Sequence, residues 1–156
     1  KHMAEPENWP KQEKAISIRG LTAGMAFHLA DCCHPVPGDR IVGLRQAGKG
    51  VQVHAIDCLS LASGVDADWL DLSWGERTTG AVGRIRIVLY NRPGTLAEAA
   101  GIFAGNRANI ASLESSNRDE LFSTYEVDLE VTDLAHLTRI VSALRASDAV
   151  AEAERI

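Results

Sequence analysis

Three cysteines and one histidine in the first half of the chain are the residues most able to do chemistry: Cys32, Cys33, His54 and Cys58. Thiolates and imidazoles are ligands that zinc prefers, and the His-x3-Cys spacing of His54 and Cys58 is typical of a short ligand arm. Adjacent cysteines on a strand point to opposite faces, so both can reach one ion only if the proline-rich turn after them bends the chain. On that condition the sequence predicts a zinc site.

Two other interpretations of these four residues stay open. They are also the residues of a compact core in which small buried thiols surround a hydrogen-bonded histidine. A thiolate beside an imidazole is a reactive nucleophile, but no recognisable orienting group or oxyanion loop accompanies the pair here. A disulfide scaffold is not expected, because three cysteines cannot all pair within one chain and a bridge between Cys32 and Cys33 would be strained.

A basic cluster follows the cysteines. Arg40, Arg45 and Lys49 surround a predicted hairpin and are able to contact phosphate, and His54 is able to stack or hydrogen-bond at a nucleotide. The alternative is that three charges on an exposed hairpin only keep it soluble. The formal charge of -5 argues against phosphate binding by the whole surface and leaves room for a local basic patch.

The loop Asn91–Leu96 in the second half has the composition of a small-molecule site. Gly94 lets the backbone approach a ligand, and free N–H groups at the start of the following helix favour a carboxylate. The amide of Asn91 is able to hold an ammonium group. A Pro-Gly turn before a helix is also common loop chemistry, so the loop alone does not establish a site.

The elements that position the first set of residues form a small β-rich module over residues 15–75. Alternating apolar residues predict a strand ending at Gly20, and two short strands joined by a glycine-rich hairpin follow the cysteines. Asp57 is expected to cap a short helix, and a closing strand ends the module. The predicted ranges for the hairpin strands, the short helix and the closing strand are 41–44, 51–54, 58–62 and 69–74.

The second module, residues 83–156, follows a linker predicted over residues 76–82. Its apolar spacing changes from strand to helix period in the order strand, helix, strand, strand, helix, strand, with Thr95 or Asn91 capping the first helix and Asp133 the second. The predicted ranges are 84–90, 96–105, 109–116, 121–131, 134–144 and 150–156. This order is the ferredoxin-like βαββαβ arrangement, so the chain is α+β.

Residues on the predicted sheet also point to a second copy of the chain. Val127, Leu129 and Val131, beside the aliphatic residues of the first strand, give strands that are apolar on both faces. Such strands favour the pairing of sheets between chains, so a homodimer is expected. Each module has fewer than about 80 residues, a size at which a metal or a partner subunit adds needed stability.

Composition places the chain among ordinary globular proteins. Its 156 residues are 46% hydrophobic and 24% charged, with no apolar stretch of the roughly 18 residues that a bilayer helix needs. We expect a cytoplasmic protein without membrane contact, because the start also lacks the layout of a secretory signal. Lys1, His2 and Met3 look like a cloning remnant, so residues 1–14 are expected to be a loose segment on a fragment of a longer protein.

The loop Asn91–Leu96, the helix after it and Asn109-Ile110 at the next strand make residues 81–156 resemble the ACT domain, a small regulatory module of amino-acid metabolism. The resemblance implies that an amino acid binds between this loop and a neighbouring protomer. The implied site residues are Asn91, Pro93, Gly94, Thr95, Leu96, Asn109 and Ile110. An aliphatic neighbourhood without an obvious counter-charge favours valine, leucine or isoleucine.

Four motifs make the first module similar to the one that precedes the ACT domain in long RelA/SpoT stringent-response enzymes. They are Cys32–Asp39, Ile41–Gly43, Gly48–Val51 and His54–Cys58. That module is called the zinc-finger, conserved-cysteine or ribosome-intersubunit domain, and it implies contact with ribosomal RNA near the A-site finger and with tRNA.

The chain is thereby identified as a regulatory, non-catalytic fragment of a (p)ppGpp synthetase/hydrolase. Amino-acid binding is expected to shift the balance of the two activities through a population shift. The alternative is a ligand-free interaction module for ribosome docking and dimerisation.

Overall fold

The computed structural model describes residues 16–22, 24–46, 48, 50–63, 68–75 and 81–156. The loose segment predicted for residues 1–14 lies outside these ranges, as do residues 76–80 of the predicted linker. Within the described part, the N-terminal module comprises residues 16–75 and the C-terminal module residues 81–156. Neither α-helix in these ranges is long and apolar enough to cross a membrane.

The N-terminal module is built around the predicted hairpin. Its strands are β1 Ile18–Arg19, β2 Phe27–Leu29, β3 Ile41–Gln46, β4 Gly50–Ala55, β5 Trp69–Asp71 and β6 Ser73–Trp74. β3 and β4 pair antiparallel, β2 joins β4 in parallel, and β5 joins the other edge of β3. The short helix predicted after Asp57 is a 3-10 helix, Leu59–Ser63. The module is β-rich, as its alternating apolar residues predict.

The closing strand predicted for residues 69–74 is interrupted. β5 pairs with β3, whereas β6 leaves that sheet and pairs antiparallel with β1. The chain changes partner at Leu72, whose side chain fills the space above Gly43: a Cβ built on that glycine would lie 2.7 Å from Leu72 Cδ1. The absence of a side chain at Gly43 therefore allows the bend.

The C-terminal module has the predicted βαββαβ order. Its elements are β7 Ala81–Tyr90, α1 Thr95–Gly105, β8 Asn109–Arg118, β9 Phe122–Val131, α2 Leu134–Arg145 and β10 Val150–Arg155. The strands form one antiparallel-paired sheet in the order β10-β7-β9-β8, which leaves β8 and β10 at the edges. The ferredoxin-like α+β fold predicted from the sequence is confirmed.

β7 begins three residues earlier than the sequence predicts, so Ala81 and Val82 belong to the strand and not to the linker. Inward residues alternate along all of β7, and its first ones, Ala81 and Gly83, are small and buried. A Cβ on Gly83 would approach Leu137 of α2 to 2.9 Å. Small residues at this end of the strand let α2 pack close, and they also hide the apolar alternation that marks a strand in sequence.

The prediction that β9 is apolar on both faces is wrong. Val127, Leu129 and Val131 all lie on the face that the helices cover, opposite Ile85, Gly83 and Ala81 of β7. The alternation of a strand puts residues i and i+2 on one side, so all three share one face. The opposite face carries ion pairs from Arg84 and Arg86 between Val82 and Val88, so it is mixed in character and not a continuous apolar surface.

The two helices start in different ways. Asp133 caps α2 as predicted, accepting a 2.8 Å hydrogen bond from the His136 N–H. For α1 the predicted side-chain caps are wrong: the N-cap is Gly94 at φ 88°, with no side-chain cap. The hydroxyl of Thr95 instead donates backward to the carbonyl oxygens of Tyr90 and Arg92 and stabilises the turn before the helix. A positive φ at the N-cap explains why the position is glycine.

Candidate functional site

The four predicted metal ligands converge in space. One potential ligand atom from each of Cys32, Cys33, His54 and Cys58 lies within 4.8 Å of every other. Cys32 Sγ is 3.5 Å from Cys58 Sγ and 3.4 Å from His54 Nδ1, and Cys33 Sγ is 3.9 Å from the same nitrogen. In a tetrahedral zinc site with Zn–S bonds of about 2.3 Å, ligand atoms are about 3.8 Å apart. The donor set therefore fits one zinc ion.

A bend in the chain lets both adjacent cysteines reach the cluster. Residues 31–33 form a turn rather than a strand, and His34 after them adopts φ 44°. The alternation that would separate two neighbouring side chains applies to extended strands and not to this turn. His54 approaches from β4, and Cys58 from the residues that lead into the 3-10 helix.

The imidazole of His54 is oriented for binding through Nδ1. The residue is only 4% exposed, and its Nε2 lies 3.2 Å from Gln52 Oε1, which also accepts a hydrogen bond from Gln46 Nε2. A proton on Nε2 leaves the Nδ1 lone pair pointing at the thiols. Metal-binding histidines commonly have such a partner on the second nitrogen. Burial, followed by the charge of His28, lowers the pKa of His54 and favours this neutral form.

Cys33 and Cys58 differ in acidity. Burial raises the pKa of Cys33 to about 12, even though the Ala55 N–H donates to its sulfur. For Cys58 burial acts in the same direction, but hydrogen bonds involving Ser60 outweigh it and its pKa is lowered; Ser60 Oγ is 2.9 Å from Cys58 Sγ. A divalent cation would compensate the buried charge that Cys33 acquires on losing its proton.

The other two interpretations fit the geometry less well. Cys32 and His54 are close, and Gln52 orients the imidazole, so both components of a nucleophilic pair, a thiol and an oriented imidazole, are present. Two further thiols converge on the same point, however, which a nucleophile does not need and a tetrahedral metal site does. Cys32 is exposed beside a cavity of about 450 Å³, so the cluster is not a closed core.

The predicted RNA-contact residues do not form one patch among the described residues. Arg40 directly precedes β3 and Arg45 lies near the other end of that strand, roughly 17 Å away at about 3.3 Å per residue, and Lys49 lies outside the described residues. Arg45 pairs with Asp68 at 3.4 Å. His54 is buried and both of its ring nitrogens lie close to protein atoms, so its geometry does not favour the RNA contact, which stays a prediction.

The loop after β7 presents an open helix N-terminus. Pro93, Gly94 and Leu96 are exposed, whereas Thr95 is buried. No described heavy atom lies within 4 Å of a Cβ built on Gly94, so the space above the turn is open. The first N–H groups of α1 have no side-chain cap, and such groups bind anions readily.

Asn91 has a structural role in this loop. Its Nδ2 donates to the carbonyl oxygen of Asp119 at 2.7 Å, and its Oδ1 lies 3.4 Å from Arg118 Nη2. The Asn91 amide thus ties the loop to the β8–β9 turn. Arg118 and Arg92 also bring positive charge to this end of the sheet, where no counter-charge for a ligand side chain is expected from the sequence. The Arg92 guanidinium lies 5.5 Å from the centre of the Tyr90 ring.

Asn109 and Ile110, the other half of the predicted amino-acid site, are not near the loop in the same chain. β7 and β8 both run antiparallel to β9, so they run in the same direction. The loop follows the end of β7, whereas Asn109 begins β8, roughly 30 Å away along the sheet at about 3.3 Å per residue. Asn109 donates instead to Glu130 at 3.3 Å, and Ile110 is 36% exposed.

Several residues at the sites were missed by the sequence interpretation. Ser60 and Gln52 support the cysteine cluster, and Arg155, from the last strand of the other module, borders the same cavity. Ser60 is two residues from Cys58 and Gln52 two residues from His54, so proximity to a ligand was an available signal. Arg155 lies 97 residues beyond Cys58, and no sequence signal connects them.

Both modules match known families. Residues 16–75 match the family described as RelA/SpoT RIS domain, and residues 82–155 match the family described as ACT domain. The chain is 36% identical over 149 residues to GTP pyrophosphokinase rsh of Brucella abortus, covering 92% of this chain and 20% of that protein. It is 30% identical over 156 residues to GTP pyrophosphokinase of Escherichia coli, covering 97% of this chain and 21% of the relative. The chain thus spans about a fifth of the length of these relatives.

Among solved structures, the chain is similar to the ACT domain from GTP pyrophosphokinase of Chlorobium tepidum. The two are 24% identical with a TM-score of 0.44, and the match covers 50% of this chain and all of that one.

Proposed function

Given that the chain is a RelA/SpoT RIS domain followed by an ACT domain, we propose that it is a regulatory, non-catalytic part of a (p)ppGpp synthetase/hydrolase. Its ACT domain binds a free amino acid between two copies of the chain. Binding shifts the balance between the synthetase and hydrolase activities of the parent enzyme. The RIS domain holds a zinc ion and contacts ribosomal RNA and tRNA.

The observation that carries the ligand proposal is the placement of the two halves of the site. The loop Asn91–Leu96 and the residues Asn109 and Ile110 lie at opposite ends of strands that run in the same direction. A second β8 paired antiparallel to the first would bring its own Asn109 beside the first chain's Arg118 and thus beside the loop. The proposed pocket is complete only in such a dimer.

The edge strand β8 is suited to this pairing. It is ten residues long, forms one edge of the sheet and exposes Ile110 and Leu113. An exposed edge strand carries unpaired N–H and C=O groups that accept another strand. This edge replaces the apolar sheet face as the physical reason for a homodimer.

The open backbone above Gly94 and the α1 N–H groups suit the carboxylate of a zwitterion. The exposed side chains nearest in sequence and across the proposed dimer, Leu96 and Ile110, are aliphatic, which favours valine, isoleucine or leucine. With the Asn91 amide already bound to Asp119, the ammonium group is left to backbone carbonyls or to the second copy.

Calorimetric titration of the chain tests the ligand proposal, with valine, isoleucine and leucine compared against aspartate and lysine. Binding of a branched-chain amino acid at one site per protomer supports it. Binding of none, or of the charged amino acids alone, rejects it and leaves the second candidate function, a ligand-free module for ribosome docking and dimerisation. The exposed β8 edge favours that second function equally, so calorimetry discriminates between the two.

RNA contact by the RIS domain is tested separately by ribosome co-sedimentation. Arg40→Glu with Arg45→Glu is expected to weaken association, because exposed cations contact phosphates. The control pair, Arg107→Glu with Arg139→Glu, makes the same charge change at exposed positions of the ACT domain. Equal loss of ribosome association in both double variants would show only an effect of net charge and would reject a specific contact by the RIS domain.

A further inference from the structure

The segment Cys32–Asp39 belongs to both domains at once. Its first two residues are proposed metal ligands, and its later residues are docked on the ACT domain. Val36 is fully buried in the core of the ACT domain, and the Pro37 carbonyl oxygen accepts a 2.7 Å hydrogen bond from the Leu134 N–H. Gly38, at φ 104°, lies so close to Leu134 that an added Cβ would approach the Leu134 Cβ to 2.9 Å.

Arg155, in the last strand of the ACT domain, forms hydrogen bonds to this segment at two residues. Its Nη1 donates to Asp39 Oδ1 at 2.7 Å and its Nη2 to Asp39 Oδ2 at 2.5 Å, a two-pronged arrangement. The same Nη2 also lies 3.2 Å from the carbonyl oxygen of His34. Asp39 in turn accepts a 2.8 Å hydrogen bond from the Val36 N–H, which closes the Pro-Val-Pro-Gly turn.

The bond to His34 brings Arg155 within one residue of a ligand. His34 directly follows Cys33, and its φ of 44° is a conformation that non-glycine residues adopt only when their surroundings hold them. The two prolines at 35 and 37 restrict the rest of the segment, so a constraint applied at Asp39 is passed toward the cysteines. Arg155 also borders the cavity onto which Cys32, Cys33 and Cys58 open.

We propose that Arg155 is a positioning residue for the Cys/His cluster, so that the RIS domain binds its metal with full affinity only when the ACT domain is docked on it. The inference rests on the metal site proposed above. Arg155 acts through its hydrogen bond to the His34 carbonyl oxygen, which fixes the backbone from which Cys32 and Cys33 project. Outer contacts that orient metal ligands typically change affinity by about 10 to 100-fold. We expect Arg155→Gln to weaken metal binding by about 10-fold.

Cobalt titration of the metal-free chain measures this directly, because thiolate-bound Co²⁺ gives charge-transfer and d–d absorption that reports tetrahedral coordination. The matched control is Arg145→Gln. It removes a guanidinium that donates to the carbonyl oxygen of Ala153 at 2.8 Å, and Ala153 lies on β10, the strand that also carries Arg155. Weaker binding in Arg155→Gln, and in Asp39→Asn, with wild-type affinity in the Arg145 variant, is the expected result.

A purely structural Arg155 gives a different outcome. Thermal unfolding of the metal-free Arg155→Gln protein would then shift, while its cobalt affinity and spectrum would equal those of the wild type, and the proposal would be overturned. If the wild-type protein gives no thiolate–cobalt spectrum, the Cys/His cluster does not bind metal and the proposed metal site itself is rejected. If Arg155→Gln fails to fold, Arg155→Lys is used in its place, because it keeps the charge and loses the bidentate hydrogen bonds to Asp39. Unchanged affinity in that variant also overturns the proposal.

Discussion

Asn91 and Asn109 lie at opposite ends of the ACT sheet, because β7 and β8 run in the same direction on either side of β9. Both belong to the amino-acid site that the resemblance implies. If both residues contribute to one site, their separation makes the proposed ligand binding depend on a second copy of the chain, and this dependence can be tested at the β8 edge.

Replacing Leu113 with Lys is expected to dissociate the proposed dimer and to abolish the proposed amino-acid binding together. Leu113 is near the middle of β8 and 38% exposed, so two copies of the new charge would lie close together across an antiparallel pair of strands. Light scattering after size-exclusion chromatography gives the mass, and calorimetry gives the binding. Ala135→Lys, at an exposed position of α2, is the control. A monomeric Leu113→Lys protein that still binds the ligand would contradict the two-copy site.

Gly94→Ala is expected to lower the free energy of unfolding by about 1 kcal/mol, the usual penalty for a side chain at positive φ. No described atom lies within 4 Å of the new methyl group, so strain and not collision causes the loss. The methyl group also occupies the space proposed for the ligand carboxylate, so affinity should fall.

Gly101→Ala is the matched control for Gly94→Ala. Gly101 lies within α1, also with open space around it, and alanine there should stabilise the chain by about 0.5 to 1 kcal/mol. Denaturant unfolding and calorimetry compare the two variants. If Gly94→Ala binds a branched-chain amino acid as tightly as the wild type, the ligand does not approach this turn.

The ion pair between Arg84 and Asp128 predicts a specific pH dependence. Arg84 Nε donates to Asp128 Oδ1 at 2.7 Å and its Nη2 donates to Oδ2 at 3.1 Å, and these hydrogen bonds lower the pKa of Asp128 below its usual value of 3.8. A carboxyl group with a lowered folded pKa binds protons more weakly in the native state than in the unfolded state. Its contribution to stability is therefore present above about pH 4 and disappears as the pH falls through the folded pKa.

Asp128→Asn should accordingly cost about 1 to 3 kcal/mol at neutral pH. The difference in the free energy of unfolding between Asp128→Asn and the wild type should shrink as urea unfolding is repeated from pH 7 toward pH 2.5. Glu120→Gln, an exposed change in the β8–β9 turn, should show a small difference at every pH. A constant deficit for Asp128→Asn across the range would mean that the lost bonds do not depend on the charge of Asp128.

Metal removal is expected to destabilise the RIS domain, and zinc affinity should rise with pH. The pKa of Cys33 is raised to about 12 by burial, so at neutral pH zinc must displace a proton from this thiol. Competition with a chromophoric chelator at pH 6, 7 and 8 measures the affinity, and calorimetry in two buffers counts released protons. Cys33→Ala should bind more weakly and release fewer protons. Zinc affinity that is independent of pH would show that the thiols are not the ligands.

The sequence by itself determined the order of the elements and the kinds of chemistry available. Period-two alternation in β7 and β9 and the 3.6-residue spacing of the α2 stripe are local signals, because each follows from which face of one element is buried. Residue type alone marked Cys32 and His54 as candidate metal ligands, since thiol and imidazole chemistry does not depend on the fold. Asp133 was predictable as a cap for the same local reason.

Tertiary structure decided where those groups meet. The turn at Cys32-Cys33 and the hairpin that carries His54 bring together candidate ligands that are distant in sequence, whereas the directions of β7 and β8 keep Asn91 and Asn109 apart. Arg155 reaches Asp39 across 116 residues because the end of β10 lies beside the segment that carries Val36 into the ACT core. Such contacts depend on how two modules pack, and no periodicity within either module encodes that packing.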